Sequence, residues 1–177
     1  HEGAEIDITL PSTAALRARP QPEPRDLRIM YEDDVIIAVD KPHGVVVHPS
    51  YKQVASTLLN GLLWHLRARH DARPGILTRL DKDTSGIVVT ALSATVHATL
   101  QRDQANGSID KEYLAIVKGH PRPRAGTIDA PLARDPQDRR RVVVAAGGAA
   151  SRTRYEVAAE QAGLALVRCQ LVTGRTH

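Results

Sequence analysis

The chain has no phenylalanine and only one tryptophan, one methionine and one cysteine. With aromatic residues at 3%, the core has to be built from Leu, Ile, Val and Ala, and the few aromatics stand out. A lone Cys169 excludes an internal disulfide and gives no sign of an oxidising compartment. No apolar run approaches the roughly 20 residues of a membrane span, and no signal-peptide pattern is present; the expected compartment is the cytoplasm, with no membrane partner. The phosphate-loop pattern and the glycine-rich dinucleotide fingerprint are both missing, so no nucleotide cofactor is implied. Ser85 lacks the glycine-flanked elbow of a serine hydrolase. The histidines are scattered, His43 and His48, like His65 and His70, being five apart, which suits neither a helix-face metal pair nor a zinc finger. Neither a metal nor any other cofactor is expected.

What is present is enough for one domain with a full core: 177 residues, 42% of them hydrophobic. The net charge is +4 and the cations are overwhelmingly arginine. Between Pro121 and Arg154 stand Arg122, Arg124, Arg134, Arg139, Arg140, Arg141, Arg152 and Arg154, against Asp129, Asp135 and Asp138. Arginine grips phosphate with a planar fork, so this belt is compatible with a nucleic-acid partner and equally with a solvated basic surface. The chain opens on His1 and closes at Thr173-Gly174-Arg175-Thr176-His177 directly after an apolar strand, so a fragment is expected.

The densest chemistry lies at Arg79-Leu80-Asp81-Lys82-Asp83-Thr84-Ser85-Gly86, between Pro74-Gly75 and the apolar run 87–92. That run reads as a buried strand, short, β-branched and bounded by turn residues. One reading of the segment is an ordinary polar turn in which Asp83 and Thr84 bond their own backbone amides. The other singles out Asp81. It follows Leu80, which should point into the core, so its own side chain should point to an open face. There it would be ionised, oriented and shielded from bulk water beside Arg79, as suits a nucleophile.

Along the chain, residues 5–10 alternate like a short strand, and a Pro- and Arg-rich linker runs to residue 26. Ile29 to Tyr31 and Val35 to Val39 predict a hairpin around Glu32-Asp33-Asp34, followed by a strand over Val45 to His48. Leu58, Leu59, Leu62, Leu63 and Leu66 predict a helix over 56–69 capped by Ser56 or Thr57, with Trp64 at its core edge. A second helix over 93–104 is capped by Ser93 and ends at Asn106-Gly107. Strands are then predicted over 111–119, 127–130, 141–145, 153–159 and 164–172. In the first of these Leu114 and Ile116 are expected in the core, with Tyr113 and Ala115 on the opposite face.

The segment Arg79 to Gly86 resembles the central motif of the RluA-type pseudouridine synthases, whose first aspartate is catalytic. The blocks Tyr31-Glu32-Asp33-Asp34, Asp40-Lys41-Pro42 and Gly44-Val45-Val46-Val47-His48-Pro49 resemble that family's first motif, and residues 111–119 its tyrosine motif. The resemblance implies an α+β pseudouridine synthase fold: a mixed, mostly antiparallel sheet with flanking helices and a central basic cleft. It implies a catalytic domain over 27–177, with residues 1–26 as the end of an S4-like RNA-binding domain plus linker. It assigns catalysis to Asp81, displacement of the target nucleotide to Arg79, packing against that nucleotide to Tyr113, and a weaker part in the substrate site to Arg175. Arg139, Arg140, Arg141 and Lys82 are expected to meet RNA phosphates. The family usually has histidine where this chain has Thr78, and a further arginine in a segment that reads on from Gly174 to His177. The expected activity is cofactor-free conversion of uridine to pseudouridine in structured RNA, ribosomal RNA of the large subunit first and transfer RNA second, by a monomer. Whether Asp81 attacks C1′, attacks C6 or abstracts a ribose proton stays open at this level. Two other classes compete: an RNA-binding module of the same fold without catalysis, which Thr78 would suit, and a carboxylate-nucleophile hydrolase, which explains neither the arginines nor the outer motifs.

Overall fold

The computed structural model describes residues 20–50, 53–138 and 141–173. The chain divides into two compact units, His1–Gln101 and Arg102–His177. Every strand pairing among the described residues is antiparallel, in keeping with the expected α+β fold of mostly antiparallel sheet and helices. No helix among the described residues is long and apolar enough to cross a membrane.

The first unit contains β1 (Ile29–Glu32), β2 (Ile36–Lys41), α1 (Leu58–His65), β3 (Gly75–Ile76), β4 (Gly86–Ala91) and the start of α2 (Ala94–Ala105). Its sheet runs in the order β1-β2-β4-β3. Ile37 and Val39 of β2 and Val88 of β4 pack in one core with Leu58 and Leu62 of α1 and its C-cap Leu66, so the leucine spacing in the sequence delivers the core-facing stripe. Thr57 is the cap: its hydroxyl accepts from the Asn60 amide, and the Asn60 side-chain oxygen accepts from the Thr57 amide at 3.0 Å. Trp64 stays at the core edge, 37% exposed, with the Arg67 guanidinium stacked 4.4 Å from its ring centre.

The β1–β2 turn is organised by Asp33, whose carboxylate accepts the amides of Val35 (2.8 Å) and Ile36 (2.7 Å) and the Tyr31 hydroxyl (2.8 Å). These donors, Ile36 foremost, hold the Asp33 carboxyl below its ordinary range. A lowered folded-state pKa contributes stability that is present above the unfolded value and is lost as pH falls through the folded one. Asp33→Asn is therefore expected to flatten the acid limb of the stability curve. Thermal melts of both proteins from about pH 2 to 6 test this, and parallel limbs would remove Asp33 from the account.

Two sequence expectations fail in this unit for physical reasons. Residues 45–48 form no strand, because their carbonyls are already engaged: Val45 by the Lys41 ammonium (2.9 Å), Val46 by the Leu58 amide (2.9 Å) and Val47 by the Leu59 amide (3.1 Å). The side chains of Val45 and Val47 line the core without joining a ladder, Val47 being buried. Gly75, which with Pro74 reads in sequence as a Pro-Gly turn, begins the edge strand β3, where a Cβ would stand 2.9 Å from the His97 ring.

The second unit contains β5 (Glu112–Lys118), β6 (Ala125–Asp129), β7 (Leu132–Arg134), β8 (Val142–Val144), β9 (Arg152–Gln161) and β10 (Leu164–Leu171). A four-stranded sheet runs β5-β10-β9-β6, and β7 pairs with β8. Ala162 (φ 49°) and Gly163 (φ 76°) make the tight β9–β10 turn, both in the left-handed region that a two-residue hairpin loop requires. The expected facing of β5 is inverted. Leu114 and Ile116 are 64% and 74% exposed, whereas Tyr113, Ala115 and Val117 are half-buried on the face where Val157, Ala165 and Val167 form the small core. The outer face is filled instead by charges, Arg168 reaching Glu112 at 3.2 Å and Glu156 at 4.0 Å. The strand predicted over 5–10 and the linker up to residue 19 lie outside the described residues.

Candidate active site

β2 and β4 lie side by side with Lys41 opposite Gly86, so the segment that leads into β4 emerges where β2 ends. Gly86 has φ 127°, a conformation that side chains resist, and it turns the chain from the polar loop into the strand. Leu80 packs against the core as expected. Its neighbours Arg79, Asp81 and Lys82 are exposed.

Asp81 departs from its expected setting. It is open to solvent, because the loop carries Leu80 inward and leaves Asp81 on the outer side, exposed among the described residues. Arg79 and Asp81 form no ion pair with each other, and neither side chain has a hydrogen-bond partner among the described residues. The Asp81 carboxylate is thus presented rather than sequestered. The turn after it is closed by the Thr84 amide on the Asp81 carbonyl (3.1 Å) and by His43, whose ring lies 3.0 Å from the Asp83 carbonyl and 3.9 Å from the Asp83 carboxylate. The turn reading assigns that closure to side chains of Asp83 and Thr84 bonding their own amides, which these bonds replace.

What holds the loop is a residue to which the sequence pattern assigns no role. Lys41 continues the inward alternation of Ile37 and Val39 and is fully buried, as they are. Its ammonium donates to the carbonyls of Pro42 (3.0 Å), Val45 (2.9 Å) and Lys82 (3.1 Å). The Lys82 carbonyl also accepts the Gly44 amide at 2.8 Å. Burial pushes the Lys41 pKa down, while the carboxylates of Asp83 and Asp81 pull it back up. A caged cation therefore lies beneath the carboxylate loop, bonded to the peptide next to Asp81. The signal for it is the alternation Ile37, Val39, Lys41, which places a charged side chain where only an engaged one is tolerated.

His48 is half-buried, and its pKa is lowered by burial first and then by the Arg79 guanidinium. A neutral imidazole beside that guanidinium can accept or relay a hydrogen bond without adding positive charge.

The remaining expected residues are divided between the second unit and undescribed positions. Tyr113 lies in β5, half-buried, opposite Cys169 of β10. Arg141 is exposed in the β7–β8 connection, where its amide donates to the Asp138 carbonyl (2.8 Å) and its carbonyl accepts from the Asp135 amide (3.0 Å). Arg139, Arg140 and Arg175 are outside the described residues.

Comparison with known proteins places this arrangement. The sequence model of the RNA pseudouridylate synthase family matches residues 35–177. The chain belongs to that family, a family of isomerases. It is 39% identical over 179 residues to an uncharacterized RNA pseudouridine synthase of Bacillus subtilis, YlyB, a match that takes in 99% of this chain and 58% of that one. It is 40% identical to the ribosomal large subunit pseudouridine synthase D of Zymomonas mobilis, over 97% of this chain and 55% of the relative. The chain thus spans somewhat over half the length of these relatives. Among solved structures, human RNA pseudouridylate synthase domain containing 4 superposes with a TM-score of 0.69 at 25% identity, over 84% of this chain and 60% of that one.

Proposed function

We propose that this chain is the catalytic part of an enzyme that converts uridine to pseudouridine in structured RNA, without a cofactor and with Asp81 essential. The observation that carries this reading is the exposed Asp81 carboxylate on a loop bolted from beneath by Lys41. The reaction breaks the C1′–N1 bond of a uridine, turns the base and forms a C1′–C5 bond, the C5 proton passing to solvent while N1 takes one up, so it needs neither an oxidant nor a second substrate. A carboxylate open to the solvent side can reach a nucleotide that has left its stack. Arg79, on the same loop, serves to displace that nucleotide, and Tyr113 supplies an aromatic face for it. Arg175 belongs to the substrate site with them. The names of the curated relatives favour ribosomal RNA of the large subunit as the substrate, with transfer RNA second. Residues 27–177 form the catalytic domain in this reading, and the chain before residue 27 is the end of an RNA-binding domain with its linker.

The test is release of tritium from C5-labelled uridine in bulk cellular RNA. Release by the full-length protein supports the isomerase. Salt-sensitive RNA binding without release selects the binding module instead, with Thr78→His the first substitution to try.

Binding itself is assigned to the arginine belt and Lys82. Each RNA phosphate deprived of its cation should reduce the slope of log K against log salt by about 0.7 to 0.9. Replacing Arg139, Arg140 and Arg141 together by glutamine should therefore flatten it by about two to three. An unchanged slope in filter binding at several salt concentrations would mean that these arginines do not meet phosphate.

A further inference from the structure

The segment before β1 reads in sequence as a plain linker, yet its described part is fastened to the N-terminus of α1. The Glu23 amide donates to the Asn60 carbonyl (3.1 Å), and the Asn60 side chain donates to the Gln21 carbonyl (2.7 Å). The Glu23 carboxylate accepts the Ser56 amide (2.8 Å) and lies 3.4 Å from the Ser56 hydroxyl. Arg25 donates to the Ser56 carbonyl at 2.9 Å, and Gln53 approaches the same oxygen at 3.4 Å. Gly61 leaves room for this strap, since a Cβ there would stand 3.0 Å from Arg25 carbons.

Ser56 is the focus of these bonds, and its backbone is in the left-handed region, φ 56°, where a serine is held only by its surroundings. From Ser56 the connections lead toward the carboxylate loop. Thr57 caps α1, and the next two amides, Leu58 and Leu59, bond the Val46 and Val47 carbonyls. Val45 accepts the Lys41 ammonium, which also holds the Lys82 carbonyl.

We propose that Glu23 and Arg25 are positioning residues of the active site, which clamp Ser56 from both sides and so fix residues 41–47 beneath Asp81. This rests on the reading of the Asp81 loop as catalytic. The clamp gives the strap a role beyond tethering: the chain that precedes the catalytic domain helps to shape its centre. Glu23 acts on the Ser56 amide and Arg25 on its carbonyl, so each holds one side of the same strained residue.

The experiment uses the full-length protein carrying Glu23→Ala and Arg25→Ala together. Two readouts are taken: hydrogen exchange of residues 41–47 and 57–59 relative to β5, and steady-state kinetics of tritium release. Exchange in 41–47 should rise at least about tenfold. The variant's kcat should fall about tenfold with KM for RNA held within about twofold. Glu23→Gln with Arg25→Lys, which keeps an acceptor and a donor for Ser56, should restore both. Unchanged exchange in 41–47 overturns the proposal, and so does a loss confined to KM, which would make the strap an RNA-binding arm. Should the unmodified protein release no tritium, the functional reading fails while the exchange measurement still decides the clamp.

Discussion

Asp81→Ala is expected to lower pseudouridine formation by at least about 10⁴-fold, the scale seen when an essential nucleophile or base is removed. RNA affinity should stay within about threefold, because phosphate contacts dominate binding and Asp81 makes none. Stability should change by less than about 1 kcal/mol, since the side chain is exposed and makes no hydrogen bond among the described residues. Its one interaction among them is the attraction it shares with Asp83 toward the Lys41 ammonium. The three outcomes together separate chemistry from architecture. The loop is held by main-chain bonds, from Thr84 to the Asp81 carbonyl and from Lys41 and Gly44 to the Lys82 carbonyl, and none of them uses the Asp81 carboxylate. Asp81→Asn tests charge at constant shape and should be as inactive as the alanine variant. Single-turnover product formation on saturating RNA is the decisive measurement, and turnover at the wild-type rate would sink the assignment of Asp81. Loss of RNA binding in parallel with activity would instead make Asp81 part of the binding surface.

The sequence was informative where one side-chain periodicity met one buried face. Ile37 and Val39 at alternate positions and Leu58, Leu62 and Leu66 at helical spacing all appear where their patterns place them. It was misleading where backbone groups found partners outside a ladder. Residues 45–48 look like a strand by composition, but the partners of their carbonyls are an ammonium and two helix-terminal amides, which no local pattern encodes. The facing of β5 failed for a related reason. Alternation shows that Tyr113 and Leu114 point apart, but which of them is buried depends on β10, which lies some fifty residues later in sequence. For the site, residue types and order were legible, so Arg79, Asp81 and Lys82 were found on one loop. The outward turn of Asp81 opposite Leu80 was legible too, whereas its lack of shielding from water was not, because that depends on what packs around the loop. The strap at Glu23 and Arg25 was invisible for want of any periodicity at all.

Lys41→Met is expected to be the most damaging single change to the first unit. The substitution keeps length and apolar volume and removes only the ammonium, from a side chain that is fully buried. Three carbonyls lose a charged donor. The Lys82 carbonyl keeps the Gly44 amide, whereas those of Pro42 and Val45 are left without the lysine at the base of the loop. A buried acceptor left without its donor costs about 1–3 kcal/mol. Pro42 is exposed and Val45 half-buried, so a loss of about 1–3 kcal/mol in stability is expected, offset in part by the cost of burying the ammonium that no longer applies. Activity should fall further than the folded fraction accounts for. The Lys82 carbonyl, one residue beyond Asp81, loses one of its two donors, and a carboxylate displaced by about 1 Å can cost about 10²-fold in rate. Urea unfolding gives the first number, and kcat of the folded protein at low temperature gives the second. A Lys41→Met variant as stable as the parent would show that solvent reaches the Pro42 and Val45 carbonyls. One that is destabilised but retains full kcat would show that the Gly44 amide alone keeps Asp81 in place, and the loop's geometry would then have to be credited to the main chain and not to the buried cation.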